Sequence, residues 1–356
     1  MDQKAIQRTA ESYSYLKSQF LPEERHPLQF GVIAGAPSYA SKAGVLDLKD
    51  ALVFSGEWLV VTTGRVHGDL YVQTPRPPKS AFLVGDPADT IHLICEQPSG
   101  SPIERAFLLG GCRNYCHWLL DYLPRLFFDT DASLPILVND DLAAFQRESL
   151  EALGVDTKRL MGLRYPRTYH VKNLLLPSLC SSSFTPPFVL QPWVVEWIRN
   201  KFASHLSSDR PGRRIFISRA GQDEIHQRRL INHDEIVEVA KAHDFEIVRP
   251  ETMSFSEQIS LFSQAGMIAG PHGAGFANMV FAPKSARIIE MLGPHVSQNE
   301  TQKGFMKLGA ILQQQVTRLV GEGRLPIKEN FVAFETYTID PGAFAHELEA
   351  AARPAG

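Results

Sequence analysis

The chain reads as an α/β protein whose C-terminal half is a doubly wound parallel sheet, and three observations carry that reading. From residue 214 onward, short apolar runs alternate with helix-compatible segments, the strand-helix-strand rhythm of parallel sheets with helices on both faces. The runs themselves, Met267–Ala269 among them, are continuous instead of alternating, as suits strands buried on two sides. A glycine-rich stretch, Gly270-Pro-His-Gly-Ala-Gly275, follows one of them at a strand-to-helix junction. In such sheets ligands sit at the carboxyl ends of strands.

A length of 356 residues allows two domains with separate cores. Ser204 to Arg213 collects Ser, Asp, Pro and Gly and is the clearest boundary, which gives an N-terminal domain over 1–205 and a C-terminal one over 206–340. A terminal helix or tail, 341–356, completes the chain. Hydrophobic residues make up 44%, charged ones 21% and the net charge is −3, so composition gives no electrostatic reason to expect a nucleic-acid partner. No apolar run has the length of a membrane span. The first twenty residues read as a polar amphipathic helix without the apolar core of a signal peptide, and a cytoplasmic place is expected, in solution or at the inner face of the membrane. The four cysteines, Cys95, Cys112, Cys116 and Cys180, include no second pair with zinc-site spacing and are expected reduced and mostly buried. Oligomeric state is not encoded in any of these features.

Taken in order, residues 29 to 111 read as short strands separated by turn signals: Phe30–Ala34, Trp58–Thr62, Ala81–Val84, Ile91–Cys95 and Arg105–Leu109. They imply a mixed or partly antiparallel layer, interrupted by an exposed Pro75–Pro78 loop. Asn114 to Phe128 is apolar almost all round and is expected to be a buried helix, bent or ended near Pro124. His117, Asp121 and Arg125 fall four apart on one face of it. Two readings stand: an internal Asp121–Arg125 ion pair, or a polar stripe lining a cleft with Asp121 as general base. Pro135–Val138 follows as a strand, residues 141–153 as a helix capped at Asp140 or Asp141, and Thr168–Leu176 as a strand. Thr185-Pro-Pro187 leads into an amphipathic helix through Trp193 and Trp197.

Beyond the boundary, Arg214–Ser218 and Phe245–Val248 are strands, and Asn232-His-Asp-Glu235 opens a helix with a capping-box-like pattern. Ser254 and Glu257 form a capping box for the next helix. The Met267 strand, a helix over Phe276–Phe281 halted by Pro283, the Arg287–Leu292 strand, a helix over 298–314 and the Val316–Val320 strand complete the sheet.

The glycine-rich stretch has a bland reading, a tight turn that glycine permits, and a sharper one. Small residues at a strand-to-helix junction leave backbone amides uncovered beside the positive end of a helix, where a phosphate can rest. His272 is the ionisable side chain within it. The spacing of Gly270, Gly273 and Gly275 is neither that of a dinucleotide fingerprint nor that of a P-loop. Ser218-Arg219 at the first strand end, with Arg228 and Arg229 in the following loop, would neutralise a diphosphate without a metal. Glu251 either accepts hydrogen bonds from ribose hydroxyls or caps the helix after it. Glu290 lies in a later strand.

Three blocks taken together resemble glycosyltransferase family 61: Asn114-Tyr-Cys-His-Trp-Leu-Leu-Asp-Tyr-Leu-Pro-Arg125; Ile217-Ser-Arg219 with Arg228-Arg229 and Asn232; and Pro250-Glu251 through Gly270–Gly275 to Asn278. The resemblance covers roughly residues 105 to 295. It implies two Rossmann-like domains facing across a cleft, the arrangement called GT-B, with a nucleotide-sugar donor on the C-terminal one. It also implies inversion at the anomeric centre and, among bacterial relatives, a role in capsular or other surface polysaccharides. Carried onto this chain, Arg219, His272, Gly273, Ala274 and Gly275 would face the diphosphate and Glu251 the nucleoside, with Gly270, Arg228 and Arg229 also on the donor side. Asn278 would brace the loop. Asp121 matches the acidic position expected of the base, with His117 as rival or helper. The family often has Asn-Glu after the paired arginines, whereas here Asn232 precedes His233.

The partners implied are a nucleotide sugar, a UDP-sugar first, and a saccharide acceptor; no cofactor and no obligatory metal are expected. Asp129-Thr-Asp131 has the DxD form that metal-using glycosyltransferases carry, but its place before Pro135 reads as a polar turn. Two other functions compete. A nicotinamide-dependent oxidoreductase shares the doubly wound sheet, against which stand the glycine spacing and the late position of the loop. A non-catalytic carbohydrate-binding protein of the same fold is compatible with His233 and with N-terminal residues that match no motif.

Overall fold

The computed structural model describes residues 28–34, 44–56, 58–62, 65–67, 81–84, 91–95, 97–178, 180–182, 189–207, 212–221, 229–298, 303–324 and 336–352. The expected N-terminal helix, the Pro75–Pro78 loop, Thr185–Pro187 and Arg228 lie outside them. The fold is mixed α/β with parallel pairing in both of its two largest sheets. Two compact units interleave along the chain: Met1–Cys112, Arg125–Leu142 and Asp156–Cys180 in one, Arg113–Pro124, Ala143–Val155 and Ser181–Gly356 in the other. A single cut at residue 205 would part residues 113–124, 143–155 and 181–205 from the unit they cluster with. His117 and Asp121 therefore share a unit with the Gly270–Gly275 loop.

In that second unit the apolar runs become a five-stranded, all-parallel sheet. Its spatial order is Glu246–Val248, Arg213–Ile217, Ala265–Pro271, Arg287–Leu292 and Gln315–Val320. By sequence this is 2-1-3-4-5, which reverses direction between the first and third strands and opens a crevice beyond their carboxyl ends. Phe216, Met267, Ala269, Ile289 and Met291 pack on one face with Ile236, Ala240, Phe344 and Leu348, from the His233–Ala242 and Pro341–Ala352 helices. Residues of opposite parity, Ile215, Ile217, Ile268 and Ile288, are equally buried, so both faces are covered as the continuous runs require.

Helix starts agree with expectation at Phe255–Ser263, where the Ser254 amide donates to Glu257 (2.8 Å) and the Glu257 amide donates to Ser254 Oγ (3.3 Å). Glu251 is thus not needed as that helix's cap. Two other starts differ. Asn232 stands at the N-cap and its Nδ2 donates to Glu235 (3.0 Å), but its side chain accepts from no helix amide; Nδ2 also donates to the Ile339 carbonyl (2.8 Å) and Oδ1 accepts from the Ile339 amide (3.1 Å), which ties the helix start to the end of the Thr336–Thr338 strand. The Ala144–Ala152 helix begins after Ala143, whose amide donates to Gln146 (2.9 Å), and neither Asp140 nor Asp141 caps it.

The first unit holds a ten-stranded mixed sheet, in keeping with the layer expected from residues 29 to 111. Its last four strands, Thr168–Pro177, Ile103–Leu108, Ile136–Asn139 and Leu160–Leu163, run parallel. Val45–Phe54 is a central strand that sequence patterning missed, because its first half carries Asp47, Lys49 and Asp50 and is largely exposed.

Candidate active site

At the crevice of the five-stranded sheet three loops converge. Arg219, just past the first strand, donates from Nη1 to the carbonyl of His272, and its guanidinium passes over Gly273, where a Cβ would meet it at 3.0 Å. Gly270 has φ +151° and would put a Cβ 2.5 Å from the Ile217 carbonyl oxygen, so glycine is required where the first and third strands close together. A Cβ at Gly275 would touch Ile217 (3.3 Å) and Pro250 (3.5 Å), while one at Gly221 would lie 3.4 Å from Arg249. The glycines thus serve close approach of backbones as well as any ligand.

The helix after the loop differs from expectation: Ala274–Val280 is a 3₁₀ helix of 7 residues preceded by Gly273. The Phe276 amide bonds to the Gly273 carbonyl (3.1 Å) and the His272 amide to Met291 (2.7 Å), and among the described residues no backbone carbonyl is bonded to the Ala274 or Gly275 amide at the start of that short helix.

Arg219, Ala220, Gly221, Arg229, Asn232, His233 and Pro271 help to line a polar cavity of about 280 Å³ beside this loop. That volume is near the lower end of the range for small-molecule sites, roughly 300–1,000 Å³. His233, at the position that departs from the family pattern, is hydrogen-bonded to Ser218 Oγ (2.9 Å) and pairs with Asp234 (3.1 Å). Glu251 stands at the end of the neighbouring strand with its carboxylate on Arg249 Nε (3.0 Å). Arg228 lies outside the described residues.

His272 is 5% exposed, and its Nδ1 is hydrogen-bonded to Glu290, which is 0% exposed. Strand register explains the meeting: Gly270 pairs with Glu290 and Pro271 with Met291, so the residue after the third strand falls beside the middle of the fourth. Arg318, on the fifth strand, brings Nε to 3.2 Å from the other Glu290 oxygen, an ion pair outside hydrogen-bond geometry. Sequence reasoning noticed Glu290 and missed its partner, since 18 residues separate the two in the chain.

The Asn114–Phe128 segment is helical, but in three pieces: an α turn over Tyr115–His117, a π turn over Trp118–Tyr122 and a 3₁₀ helix over Leu123–Phe128. Asn114 caps the first, accepting from Cys116 (3.0 Å) and His117 (3.2 Å). His117 Nδ1 lies 2.7 Å from Asp121 Oδ2, and Asp121 is fully buried while the His117 side chain keeps 16% of its surface. The expected Asp121–Arg125 pair does not form. Arg125 is fully buried and donates to the Leu109 (2.6 Å) and Pro177 (2.8 Å) carbonyls, closing two strand ends of the first unit. The wider π turn, with the Leu123 amide on the Trp118 carbonyl, breaks the i, i+4 stacking that would have aligned all three polar residues.

Tyr115 links this segment to the loop. Its hydroxyl donates to Asn278 Oδ1 (2.6 Å), and Asn278 Nδ2 donates to Gln258 (2.9 Å), so the buried amide holds the 3₁₀ helix between two others. Burial pushes the Tyr115 phenol well above the ordinary tyrosine range; nearby Cys116 adds to the rise and the Asn278 bond opposes it. The turn carrying His117 thus packs on the helix that follows His272.

A family model described as Glycosyltransferase 61 matches residues 115–289, from Tyr115 at the head of the π-containing segment to the strand that carries Glu290's neighbour Ile289. The chain carries a glycosyltransferase 61 domain. Its ends fall within the stretch over which the three sequence blocks show their resemblance. A curated relative, the EGF domain-specific O-linked N-acetylglucosamine transferase of Drosophila melanogaster, is 24% identical over 131 residues, 35% of this chain. The matched region spans 25% of that relative's length. Within the glycosyltransferase 61 domain, Asp129 and Asp131 of the DxD stretch are engaged locally: Asp129 by Arg159 (2.8 Å), Asp131 by the Ser133 amide (3.0 Å) and hydroxyl. Those Ser133 bonds hold the Asp131 carboxyl below its ordinary range and make the stretch a polar turn.

Proposed function

We propose that the protein is an inverting glycosyltransferase that moves a sugar from a nucleotide-sugar donor, a UDP-sugar first, to a saccharide or glycan acceptor. Synthesis of a surface or capsular polysaccharide is the setting, in the cytoplasm or at the inner membrane face. No helix among the described residues is long and apolar enough to cross a membrane. The observation that supports the reading is Arg219 held on the His272 carbonyl and over Gly273, at the strand ends of the region that matches the glycosyltransferase 61 model. The GT-B arrangement belongs to the same proposal. The loop follows the third strand, not the first, which is the wrong place for a dinucleotide fingerprint.

The reaction is a single displacement. A base takes the proton of the acceptor hydroxyl, the oxygen attacks the anomeric carbon, and the bond to the nucleoside diphosphate breaks on the opposite face with its electron pair leaving on the diphosphate. Buried Asp121 on His117 Nδ1 orients the imidazole, so His117 Nε2 accepts the proton and Asp121 steadies the resulting charge, a division of labour familiar from histidine–carboxylate pairs. Charge on the departing diphosphate meets Arg219, His272 and the two loop amides, a set of fixed donors that needs no metal in this proposal.

Uridine diphosphate should raise the melting temperature with no divalent cation added, since a ligand that binds only the folded state stabilises it. A panel of nucleoside diphosphates and nucleotide sugars, one bearing N-acetylglucosamine in view of the Drosophila relative, then ranks donors. Absence of any shift across the panel at millimolar concentration would sink the reading.

A further inference from the structure

Among the described residues two histidine–carboxylate pairs have a fully buried carboxylate, and the proposed chemistry uses the carboxylate of only one. The second, His272–Glu290, is more deeply buried, and Arg318 backs it from the next strand. Bonded to Glu290 through Nδ1, the His272 ring has Nε2 as its remaining polar atom, and no described residue hydrogen-bonds to it. A side chain nineteen-twentieths buried with one nitrogen spoken for and the other open is arranged to meet something outside the protein. Arg219 donates to the backbone carbonyl of the same residue.

We propose that Glu290 and Arg318 are positioning residues for the nucleoside diphosphate subsite: Glu290 holds the His272 ring as an Nδ1–H donor so that Nε2 faces the diphosphate, and Arg318 holds Glu290. This rests on the donor-site reading above. The chain of contacts runs across three adjacent parallel strands, third to fourth to fifth, so the ring is fixed by the rigid sheet and not by its own glycine-rich loop. A loop built from glycines for close approach has little means of fixing a side chain itself. Sheet-borne support is how such a group keeps a productive orientation.

Removing Glu290 alone would leave the mostly covered Arg318 guanidinium without its carboxylate and destabilise the protein, so the test removes both charges together, in Glu290→Met with Arg318→Met. Two measurements are made on wild type, this double variant, His272→Ala and the triple variant: calorimetric Kd for uridine diphosphate, and ¹⁵N resonances of the His272 ring, assigned by difference against His272→Ala. The expected result is a wild-type ring protonated at Nδ1, a double variant that loses this preference, and a Kd raised about tenfold in His272→Ala and in the double variant alike. The triple variant then binds no worse than His272→Ala, because both changes act through one contact. A wild-type ring protonated at Nε2 alone, a double variant binding like wild type, or additive losses in the triple variant overturns the role of Glu290 while leaving the donor site standing. A wild-type protein that ignores uridine diphosphate while its ring shows the expected tautomer overturns the donor-site reading, and this proposal with it.

Discussion

His117 and Asp121 are one hydrogen bond apart, yet burial assigns them different tasks. Asp121, fully buried, has its Oδ2 on His117, and His117 is the member with surface left to meet an acceptor. In the proposed mechanism the acidic residue favoured as the base from its position in the block stands behind the base. Turnover should fall by roughly 10²–10⁴-fold in His117→Ala, at least as far as in Asp121→Asn, and the double variant should be no slower than His117→Ala. Steady-state kinetics alongside calorimetric donor affinity check this. Donor Kd should stay within about twofold of wild type, and an Asp121→Asn enzyme much slower than His117→Ala would return the base role to Asp121.

At the scale of elements, the crevice depends on two strands and a short 3₁₀ helix meeting closely, and its glycines are not equivalent. Gly270 combines φ +151° with a Cβ position 2.5 Å from a backbone carbonyl, so Gly270→Ala meets backbone strain and a clash that no flexible side chain can relieve. A loss of about 2–4 kcal/mol in urea unfolding is expected. Gly273 has an extended backbone (φ 177°), and the nearest atoms to its added Cβ would all belong to the flexible Arg219 side chain, Nη1 at 3.0 Å and Cδ and Cζ at 3.4 Å. Gly273→Ala should therefore fold nearly as stably as wild type while binding nucleoside diphosphate less well, because the guanidinium must shift. Equal destabilisation in the two variants would contradict this distinction.

On the scale of the whole molecule, the Tyr115–Asn278–Gln258 chain joins a segment from the middle of the sequence to the C-terminal sheet and makes stability sensitive to alkali. The folded-state Tyr115 phenol is raised above its unfolded value, so its contribution is fully present below about pH 10 and is lost as pH climbs beyond that, when the unfolded chain sheds the proton first. Wild type should thus lose stability above about pH 10 more steeply than Tyr115→Phe. At neutral pH the same variant should be weaker by about 1–3 kcal/mol, the cost of leaving the buried Asn278 oxygen without its donor. Denaturant titrations across pH 8 to about 11 give both quantities; parallel curves for the two proteins would rule out the phenol as the source.

Local rules wrote much of this protein. Continuous apolar runs dictated a parallel sheet, because strands buried on both faces have no polar side to display, and the strand ends fell within a residue or two of their expected places. Ser254 with Glu257 announced a helix start in four letters, and the glycines marked where backbones must approach. Motif spacing singled out Arg219 and His272, which the fold joins through a hydrogen bond, and Asn278, which it buries between Tyr115 and Gln258. What tertiary structure alone decided is pairing across distance. Register between parallel strands brought Glu290 to His272, a π turn gave Asp121 to His117 and sent Arg125 to two strand ends, and interleaved units put the Tyr115–Tyr122 segment with the sheet that follows it by a hundred residues. Side-chain periodicity reports which face is buried, whereas which buried group meets which is set by strand order and register, and these are properties of the assembled sheet.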